Sequence, residues 1–358
     1  MQALGSFPRF LAAVAGVAVR RRGLRRVPLL TAGRAVLRRR TDVFEDLLTH
    51  PDPGEEFWAG TDLGDAATRL PRTLVVAGWS DLFLRPSLDV YRRRQDAGLP
   101  TRLLVGPWTH QTMLDKGWPA VLDRVVPFLR NAVEGLDDGP PVCVHVGGGP
   151  GWQDLAHWPP APTATRRWLL GADGSLGAAA PGGPPSAVRY DPHGPTPSRG
   201  GAVLGPGAGT VDDRRATTRA DVVSFTSAPL TEPLDVLGEP QAEVTVRVDG
   251  GGADLFVRLC DVAPDGACRN VTDAVTRLDP GGGRITLPLD AVAHRFDTGH
   301  RLRLHVSGGA FPRFARNPGT GEPVATATRL EPVTTHVLHD AAHRSALVLP
   351  TGSPWGER

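Results

Sequence analysis

The hydrophobic pattern changes near Pro140, and this change constrains the fold more than any other feature of the sequence. Before it, the apolar runs Thr73 to Ala77 and Arg102 to Val105 alternate with helical stretches. The helical stretches extend from about Pro86 to Asp96 and from Pro119 to Val133. Strand–helix alternation with continuous apolar strands is typical of an α/β sheet whose two faces are both covered.

After Pro140 the helical periodicity ends, and short alternating runs separated by Gly, Pro and Asp replace it. Glu243 to Val248 and Arg301 to Val306 alternate strictly between polar and apolar residues. This pattern predicts antiparallel strands with one face in water, hence a β-sandwich or jelly roll. Further runs that predict strands are Val142 to Val146, Ala242 to Val248, Leu255 to Leu259, Arg284 to Leu289 and Thr334 to Leu338. We interpret the Gly- and Pro-rich stretch from Gly174 to Gly209 as a long loop.

Composition and charge narrow the class of protein. A length of 358 residues allows two domains, and a net charge of +2 gives no reason to expect nucleic acid or a membrane as a partner. Residues 1–50 predict Arg-rich helices with a solvated charged face. The apolar run from Leu11 to Val19 is about half of what a bilayer requires, and Arg20 to Arg22 follow it, whereas a secretory signal carries its charges in front. We therefore expect a cytoplasmic protein.

Cysteines give no framework that can be predicted from spacing. Cys143, Cys260 and Cys268 are scattered and include no C-x-x-C pair, so neither a disulfide framework nor a zinc site follows. Cys260 and Cys268 could bridge across a hairpin, but buried free thiols fit better because free cysteine is among the most buried residue types.

Two other groups of residues are weak candidates for ligand binding. His336, His339 and His343 form an H-x-x-H-x-x-x-H string, but the surrounding residues predict a strand and a turn, which argues against a metal site. The glycine runs at 147–149 and 250–252 lack the following helix of a phosphate loop and predict turns. We therefore expect no metal and no cofactor.

Two polar residues directly follow the two predicted strands of the α/β region. Asp81 ends the stretch Gly-Trp-Ser-Asp, and His110 ends the stretch Gly-Pro-Trp-Thr-His. Open α/β sheets place their active sites at such strand ends, and Asp before His is the order of the last two members of an α/β-hydrolase triad. His110 would take the nucleophile's proton while Asp81 fixes the imidazole tautomer. An N-capping aspartate and a packed histidine are the structural alternatives.

Four sequence blocks, in order along the chain, match motifs of one hydrolase family. They are HPDP with FW at residues 50–58, TLVVAGWSD at 73–81, LLVGPWTH at 103–110 and GGAFPRFARNPGTG at 308–321. These blocks resemble the end of the helical cap, the triad acid, the triad base and the C-terminal jelly roll of the cocaine-esterase/X-Pro dipeptidyl-peptidase (CocE/NonD) hydrolases.

The resemblance implies an α/β plus all-β fold. Residues 1–70 would be a remnant of the helical cap, residues 71–139 the C-terminal part of an α/β-hydrolase domain, and residues 140–358 a jelly-roll β-sandwich. The implied function is a serine hydrolase that cleaves an ester or amide acyl bond of a small-molecule ester or peptide substrate through an acyl-enzyme.

The resemblance also implies roles for individual residues. Asp81 corresponds to the triad acid and His110 to the triad base. Phe83 matches an aromatic residue that lines the acyl pocket. Trp79 and Trp108 are expected to bind substrate as walls of the site, with core packing as the alternative role for both.

The nucleophile of such a hydrolase is not recognisable in residues 1–80. A nucleophile elbow has the form G-x-S-x-G. Ser6 lacks the second glycine, and Ser80 adjoins Asp81, so it cannot lie on a different strand-to-helix turn. We therefore expect the serine to lie outside this chain, either because the start of the gene is placed too late or because a separate chain carries it. A non-catalytic jelly-roll binding module and an inactive remnant remain the alternatives.

Overall fold

The computed structural model describes residues 23–37, 42–61, 64–136, 139–205, 207–352 and 354. Its helices are α1 (Ala32–Leu37), α2 (Asp42–Thr49), α3 (Leu84–Asp96), α4 (His110–Met113) and α5 (Trp118–Glu134). The strands of a first sheet are β1 (Thr73–Ser80), β2 (Thr101–Thr109), β3 (Val142–Val146) and β4 (Gly151–Leu155). None of the described helices combines the length and the apolar character needed to cross a membrane.

The described part of residues 1–70 consists of short helices and turns. α1 and α2 are followed by the 3₁₀ helices Glu56–Thr61 and Gly64–Arg69. Arg25 and Arg26, which we expected on a helix, lie in a turn instead, where Arg25 places its guanidinium over a ring of the C-terminal region. Pro28 follows closely and cannot donate a helical hydrogen bond, which favours the turn. Ser6 and the arginine clusters at 20–22 and 38–40 lie outside the described residues.

The first sheet has helices on both faces, as its apolar strands predict. β1 and β2 pair in parallel. Leu84, Leu88 and Tyr91 of α3 pack on one face, in a cluster with Val75 and Val105. On the other face α5 contributes Val121 to a second cluster, with Leu104, Trp108 and Cys143. A strand buried on both sides needs apolar residues at successive positions, which accounts for the continuous runs in the sequence.

The first sheet extends beyond the predicted boundary at residue 140. We expected Val142–Val146 to belong to the β-sandwich, but β3 pairs in parallel with β2, with Val142 opposite Leu103. β4 then pairs with β3 in antiparallel fashion. The prediction was wrong because α5 acts as the crossover that brings the chain back beside β2, and five apolar residues do not reveal which sheet they join.

The remaining strands form one hydrogen-bonded network. They are β5 (Ala164–Leu170), β6 (Ser175–Gly177), β7 (Ser186–Tyr190), β8 (Val222–Ser227), β9 (Leu234–Gly238), β10 (Gln241–Asp249), β11 (Ala253–Val262), β12 (Cys268–Leu278), β13 (Gly283–Pro288), β14 (Val292–Phe296), β15 (Arg301–Ser307), β16 (Val333–Val337) and β17 (Ala346–Thr351). The main order is β12-β11-β15-β8-β6-β5-β17-β10-β16-β7, and all of its pairs are antiparallel except β6 with β8. Phe225, Leu255, Phe296, Leu304 and Leu347 are among the residues of its single main core. The predicted fold class, α/β followed by all-β, is confirmed.

Two details of this β region differ from the sequence-based expectations. The stretch from Gly174 to Gly209 is not simply a loop, because it contains β6 and β7. β11 has no wet face, since all ten of its residues are buried. The reason is an overlying segment: the Val211 N–H donates to Asn270 Oδ1 (2.7 Å), and the Asp213 N–H donates to the Cys268 carbonyl (2.7 Å).

The first sheet and the β-sandwich are joined at the glycine run that follows β3. The Gly147 N–H donates to the Ala293 carbonyl at 2.9 Å, and the Arg295 N–H donates to the Gly147 carbonyl at 2.8 Å. Gly148 has φ +64°, and a Cβ there would approach the Arg295 carbonyl oxygen to 2.4 Å. Only glycine fits so close to a second backbone, and the turn predicted at this run connects the two parts of the molecule.

Candidate active site

The register of β1 and β2 places their carboxyl ends side by side. Gly78 lies opposite Gly106, but Ser80 lies opposite Thr109, so β2 contains one extra residue over this interval. Pro107 lies in the irregular stretch, where it fits because proline has no backbone N–H and cannot donate a hydrogen bond to a neighbouring strand. The extra residue aligns the positions that follow the two strands, which are Asp81 and His110.

Asp81 is held in a fixed orientation by the turn that leads into α3. Its side chain is only 5% exposed. Its Oδ1 accepts the Phe83 N–H at 2.9 Å, and its Oδ2 lies 3.3 Å from His110 Nδ1. The N-cap of α3 is Phe83, so Asp81 does not act as the capping residue that we considered as an alternative. One carboxylate oxygen is thus bound to the backbone and the other is directed at the imidazole.

His110 is the first residue of α4, and its position is set by a capping box. The Thr112 N–H donates to Thr109 Oγ1 (3.2 Å), while the Thr109 N–H donates to Thr112 Oγ1 (2.8 Å). This reciprocal pair holds the backbone on both sides of His110. With Nδ1 directed at Asp81, Nε2 has no hydrogen-bond partner among the described residues. The side chain as a whole is 28% exposed.

Phe83 lies beside the imidazole. Its ring and that of His110 meet edge to face, with centroids 5.2 Å apart. Phe83 remains 41% exposed, which is unusual for a side chain of its size and leaves an apolar surface next to His110.

Trp79 and Trp108 both pack against the first sheet. Trp108 is buried, and its indole N–H donates to the Ala77 carbonyl at 2.9 Å. The Trp79 indole N–H donates to the His145 carbonyl at 2.7 Å. Trp108 thus packs in the interior, whereas Trp79 is partly buried against the core on the other face of the sheet. Both tryptophans also line a cleft between this sheet and the β-sandwich, but Asp81, Phe83 and His110 are not among its lining residues.

This cleft has a volume of about 830 Å³ and begins next to the ends of β1 and β2. Besides the two tryptophans, Ser80, Thr109, His145 and Trp152 line it from the first sheet, and Asp261, Asn270, His294 and His300 line it from the β-sandwich. Burial lowers the pKa of His145 and favours its neutral form.

The polar wall that the β-sandwich contributes to the cleft was missed by sequence reasoning. Asp261 holds His294 Nε2 at 3.0 Å and His300 Nδ1 at 2.7 Å. The two histidines come from strands and turns more than 30 residues beyond Asp261. No local motif links these positions, so only the pairing of the strands brings them together.

The three histidines near the C-terminus do not form a cluster. His336 Nε2 lies 2.7 Å from Asp249 Oδ2, and His343 is bound to Asp340, three residues earlier. His339 bridges Ser186 Oγ (2.8 Å) and the Leu170 carbonyl (3.1 Å). Each imidazole therefore has its own partner.

Known protein families match both parts of the chain. Residues 134–348, more than half of the chain, match the family "X-Pro dipeptidyl-peptidase C-terminal non-catalytic domain". Residues 18–112 match "X-Pro dipeptidyl-peptidase (S15 family)". The cocaine esterase of Rhodococcus sp. (strain MB1 Bresler) is 30% identical over 356 residues, which cover 86% of this chain and 61% of the esterase.

Solved structures show the same fold. An aminopeptidase from a marine sediment archaeon, Thaumarchaeota archaeon, matches with a TM-score of 0.77 at 23% identity and covers 91% of this chain and 62% of its own. An α-amino acid ester hydrolase matches with a TM-score of 0.76 at 22% identity, covering 90% of this chain and 63% of its own. The chain thus spans less than two thirds of the length of these relatives. It belongs to the CocE/NonD family of X-Pro dipeptidyl-peptidase-type hydrolases.

Proposed function

We propose that this chain contributes the acid and the base of a serine-hydrolase triad that cleaves an ester or amide acyl bond in a small-molecule ester or peptide. The observation that carries the proposal is the 3.3 Å contact between Asp81 Oδ2 and His110 Nδ1 at neighbouring strand ends. The remaining ring nitrogen, Nε2, has no partner among the described residues and is free to accept a proton.

The chemistry follows from this geometry. His110 Nε2 takes the proton of a serine hydroxyl as the oxygen attacks the acyl carbon, and it returns the proton to the leaving group. Asp81 accepts the Nδ1–H, which selects the tautomer with a free Nε2 and stabilises the imidazolium while it exists. Phe83 supplies apolar surface for the acyl group beside the imidazole. In a second step His110 Nε2 takes a proton from a water molecule as the water oxygen attacks the acyl-enzyme, and it returns the proton to the serine oxygen, which leaves and frees the acyl group as an acid.

We propose further that the nucleophilic serine lies outside these 358 residues, either on a preceding segment or on a separate chain. No G-x-S-x-G sequence occurs among the 358 residues, and no serine or cysteine side chain of the described residues is hydrogen-bonded to His110. Two unpartnered surfaces support contact with the part that carries this serine. β1 pairs on one side only within the described residues, and α5 exposes a row of apolar side chains next to it. Unpaired edges and apolar patches of this kind favour association.

The test is fluorophosphonate labelling of the tagged chain after purification from the organism that encodes it. We expect a labelled serine within a G-x-S-x-G sequence, either on a longer form of this chain or on a co-purifying polypeptide. The variant His110→Ala should slow labelling by roughly 10²–10⁴-fold, because the base no longer activates the serine. His193→Ala is the matched control, since this histidine is exposed and its ring has no hydrogen-bond partner among the described residues.

Two results would contradict the proposal in different ways. Labelling of a serine within residues 1–358 would show that these residues carry their own nucleophile, and the second part would be wrong. If the His110→Ala variant were labelled as fast as the unaltered protein, His110 would not be the base, and the proposed hydrolase role of this site would be wrong.

A further inference from the structure

Cys260, Cys268 and His305 meet on the face of β11 that points away from the main core. They come from three adjacent strands, β11, β12 and β15, and none is more than 3% exposed. The two sulfur atoms and an imidazole nitrogen lie within 4.8 Å of one another. Within the part of the chain that the structure describes, no other three His, Cys, Asp or Glu side chains approach one another this closely with their donor atoms.

The strand registers explain why these side chains share one face. Cys268 lies opposite Val262, two positions along β11 from Cys260. On the other side of β11, His305 lies opposite Arg258, again two positions from Cys260. Residues two apart on a strand point to the same face, so both partners are diagonal neighbours of Cys260. Three potential ligand side chains thus converge, although only the two cysteines are close to each other in the sequence.

His305 carries the observation that points to a ligand. It is 3% exposed, and although the Cys268 thiol lies close enough to interact with the ring, neither Nδ1 nor Nε2 makes a hydrogen bond of ordinary geometry within the described residues. Leaving one buried polar atom unpaired costs about 1–3 kcal/mol, so an imidazole with two such atoms at the centre of a sheet calls for a bound group. The adjacent donors that could share that group are the thiols of Cys260 and Cys268.

We propose that Cys260, Cys268 and His305 bind one divalent cation of the zinc class. Two thiolates and one imidazole are a donor set that zinc prefers over calcium or magnesium. Tetrahedral coordination at zinc distances separates such ligands by about 3.5–3.8 Å, so the three side chains need to close by only about 1 Å. Binding releases the two thiol protons to solvent, and the two thiolates neutralise the charge of the cation.

The surroundings allow the site to form without a new charge imbalance. Two arginines lie near the site: Arg258 is paired with Asp213 (2.9 Å) and Asp273 (2.9 Å), and Arg303, opposite Cys260, donates to Thr226 Oγ1 (2.9 Å). A cavity of about 300 Å³ is lined by His305 and Arg258, and a water from it completes the fourth position. The bound cation would tie β11, β12 and β15 together beneath the overlying segment around Asp213.

The experiment is a Co²⁺ titration of the full chain purified under reducing conditions. We expect one equivalent to bind, with thiolate-to-cobalt charge-transfer absorption and the visible bands of a tetrahedral ion, both displaced by Zn²⁺. Cys268→Ser and His305→Ala should each weaken Co²⁺ binding by at least about 100-fold. Cys143→Ser is the matched control, because Cys143 is an equally buried thiol in the other sheet and should bind Co²⁺ like the unaltered chain.

A second measurement applies where a variant fails to fold. Zn²⁺ should raise the thermal midpoint of the unaltered chain and of Cys143→Ser by the same amount. The proposal is wrong if the unaltered chain binds no Co²⁺, or if Cys268→Ser keeps the full equivalent. It is equally wrong if the chain, denatured without reductant, has only one titratable thiol, because Cys260 and Cys268 would then form a disulfide.

Discussion

At the scale of single residues, Trp108 explains why glycine occupies two facing positions beneath the candidate site. Gly78 and Gly106 lie opposite each other on β1 and β2. A Cβ at Gly106 would come within 2.3 Å of the Trp108 indole, and a Cβ at Gly78 within 2.4 Å. The ring therefore fills the space that two side chains would otherwise need, and it closes the sheet just before Asp81 and His110. The blocks GWSD and GPWTH contain these glycines for packing as much as for chemistry.

Gly106→Ala tests this packing. The added methyl group must displace the buried indole, and we expect the free energy of unfolding to fall by about 1–3 kcal/mol. The measurement is urea denaturation followed by tryptophan fluorescence. Gly60→Ala is the control, since a Cβ at Gly60 meets nothing within 4 Å, and its effect should stay within about 0.5 kcal/mol. Equal stability of the two variants would show that Trp108 does not need the glycine.

At the scale of elements, α5 presents apolar side chains on two sides. Val121 and Phe128 are buried against the first sheet. Leu122, Val126, Leu129 and Val133 lie three or four residues apart along the helix and are exposed, Val133 to 88%. A surface helix normally carries one apolar stripe, so the second stripe indicates a partner surface. This feature is the physical basis for proposing that the nucleophile-carrying part lies next to β1 and α5.

Val133→Asp tests the second stripe of α5. Because Val133 makes few contacts in the folded chain, its replacement should change stability by no more than about 0.5 kcal/mol. A charge in an apolar interface is costly, so the yield of fluorophosphonate-labelled protein should fall at least tenfold. Leu47→Asp on α2 replaces another exposed apolar residue and should leave the yield unchanged. An undiminished yield with Val133→Asp would exclude α5 from the interface.

At the scale of the whole molecule, the β-sandwich contains a buried imidazole that connects separate strands. His339 Nδ1 donates to the Leu170 carbonyl on β5, and Nε2 accepts from the Ser186 hydroxyl on β7. Burial lowers the pKa of His339, against smaller opposing effects of the Leu170 carbonyl and the Asp173 carboxylate. The folded protein therefore holds this residue neutral at a pH where the unfolded chain would begin to bind a proton.

This difference predicts a loss of stability in weak acid. Above the unfolded pKa of about 6.5 both states are neutral at His339, and below it only the unfolded chain takes up the proton. The free energy of unfolding should therefore decrease as the pH falls from 7.5 to 5.5, which chemical denaturation at several pH values measures. His339→Gln should reduce this dependence, and His193→Ala should keep it. An unchanged dependence in His339→Gln would contradict the role of this histidine.

The sequence by itself determined the two fold classes, the order of most strands and the positions of Asp81 and His110 at strand ends. These properties are local: hydrophobic periodicity and turn residues act over a few positions and are visible in the chain as written. The resemblance of four blocks added the family, and the comparisons confirm it.

Only the tertiary structure decided which distant residues meet. In the folded protein β3 pairs with β2 in the first sheet, and a shift of one residue in the register of β1 and β2 aligns Asp81 with His110. Both faces of β11 are buried. The fold also brings His305 to Cys260 and Cys268, although their spacing predicts no metal site. The physical reason is the same in each case: strand register and layer packing depend on contacts between residues far apart in the chain, and no local pattern encodes them.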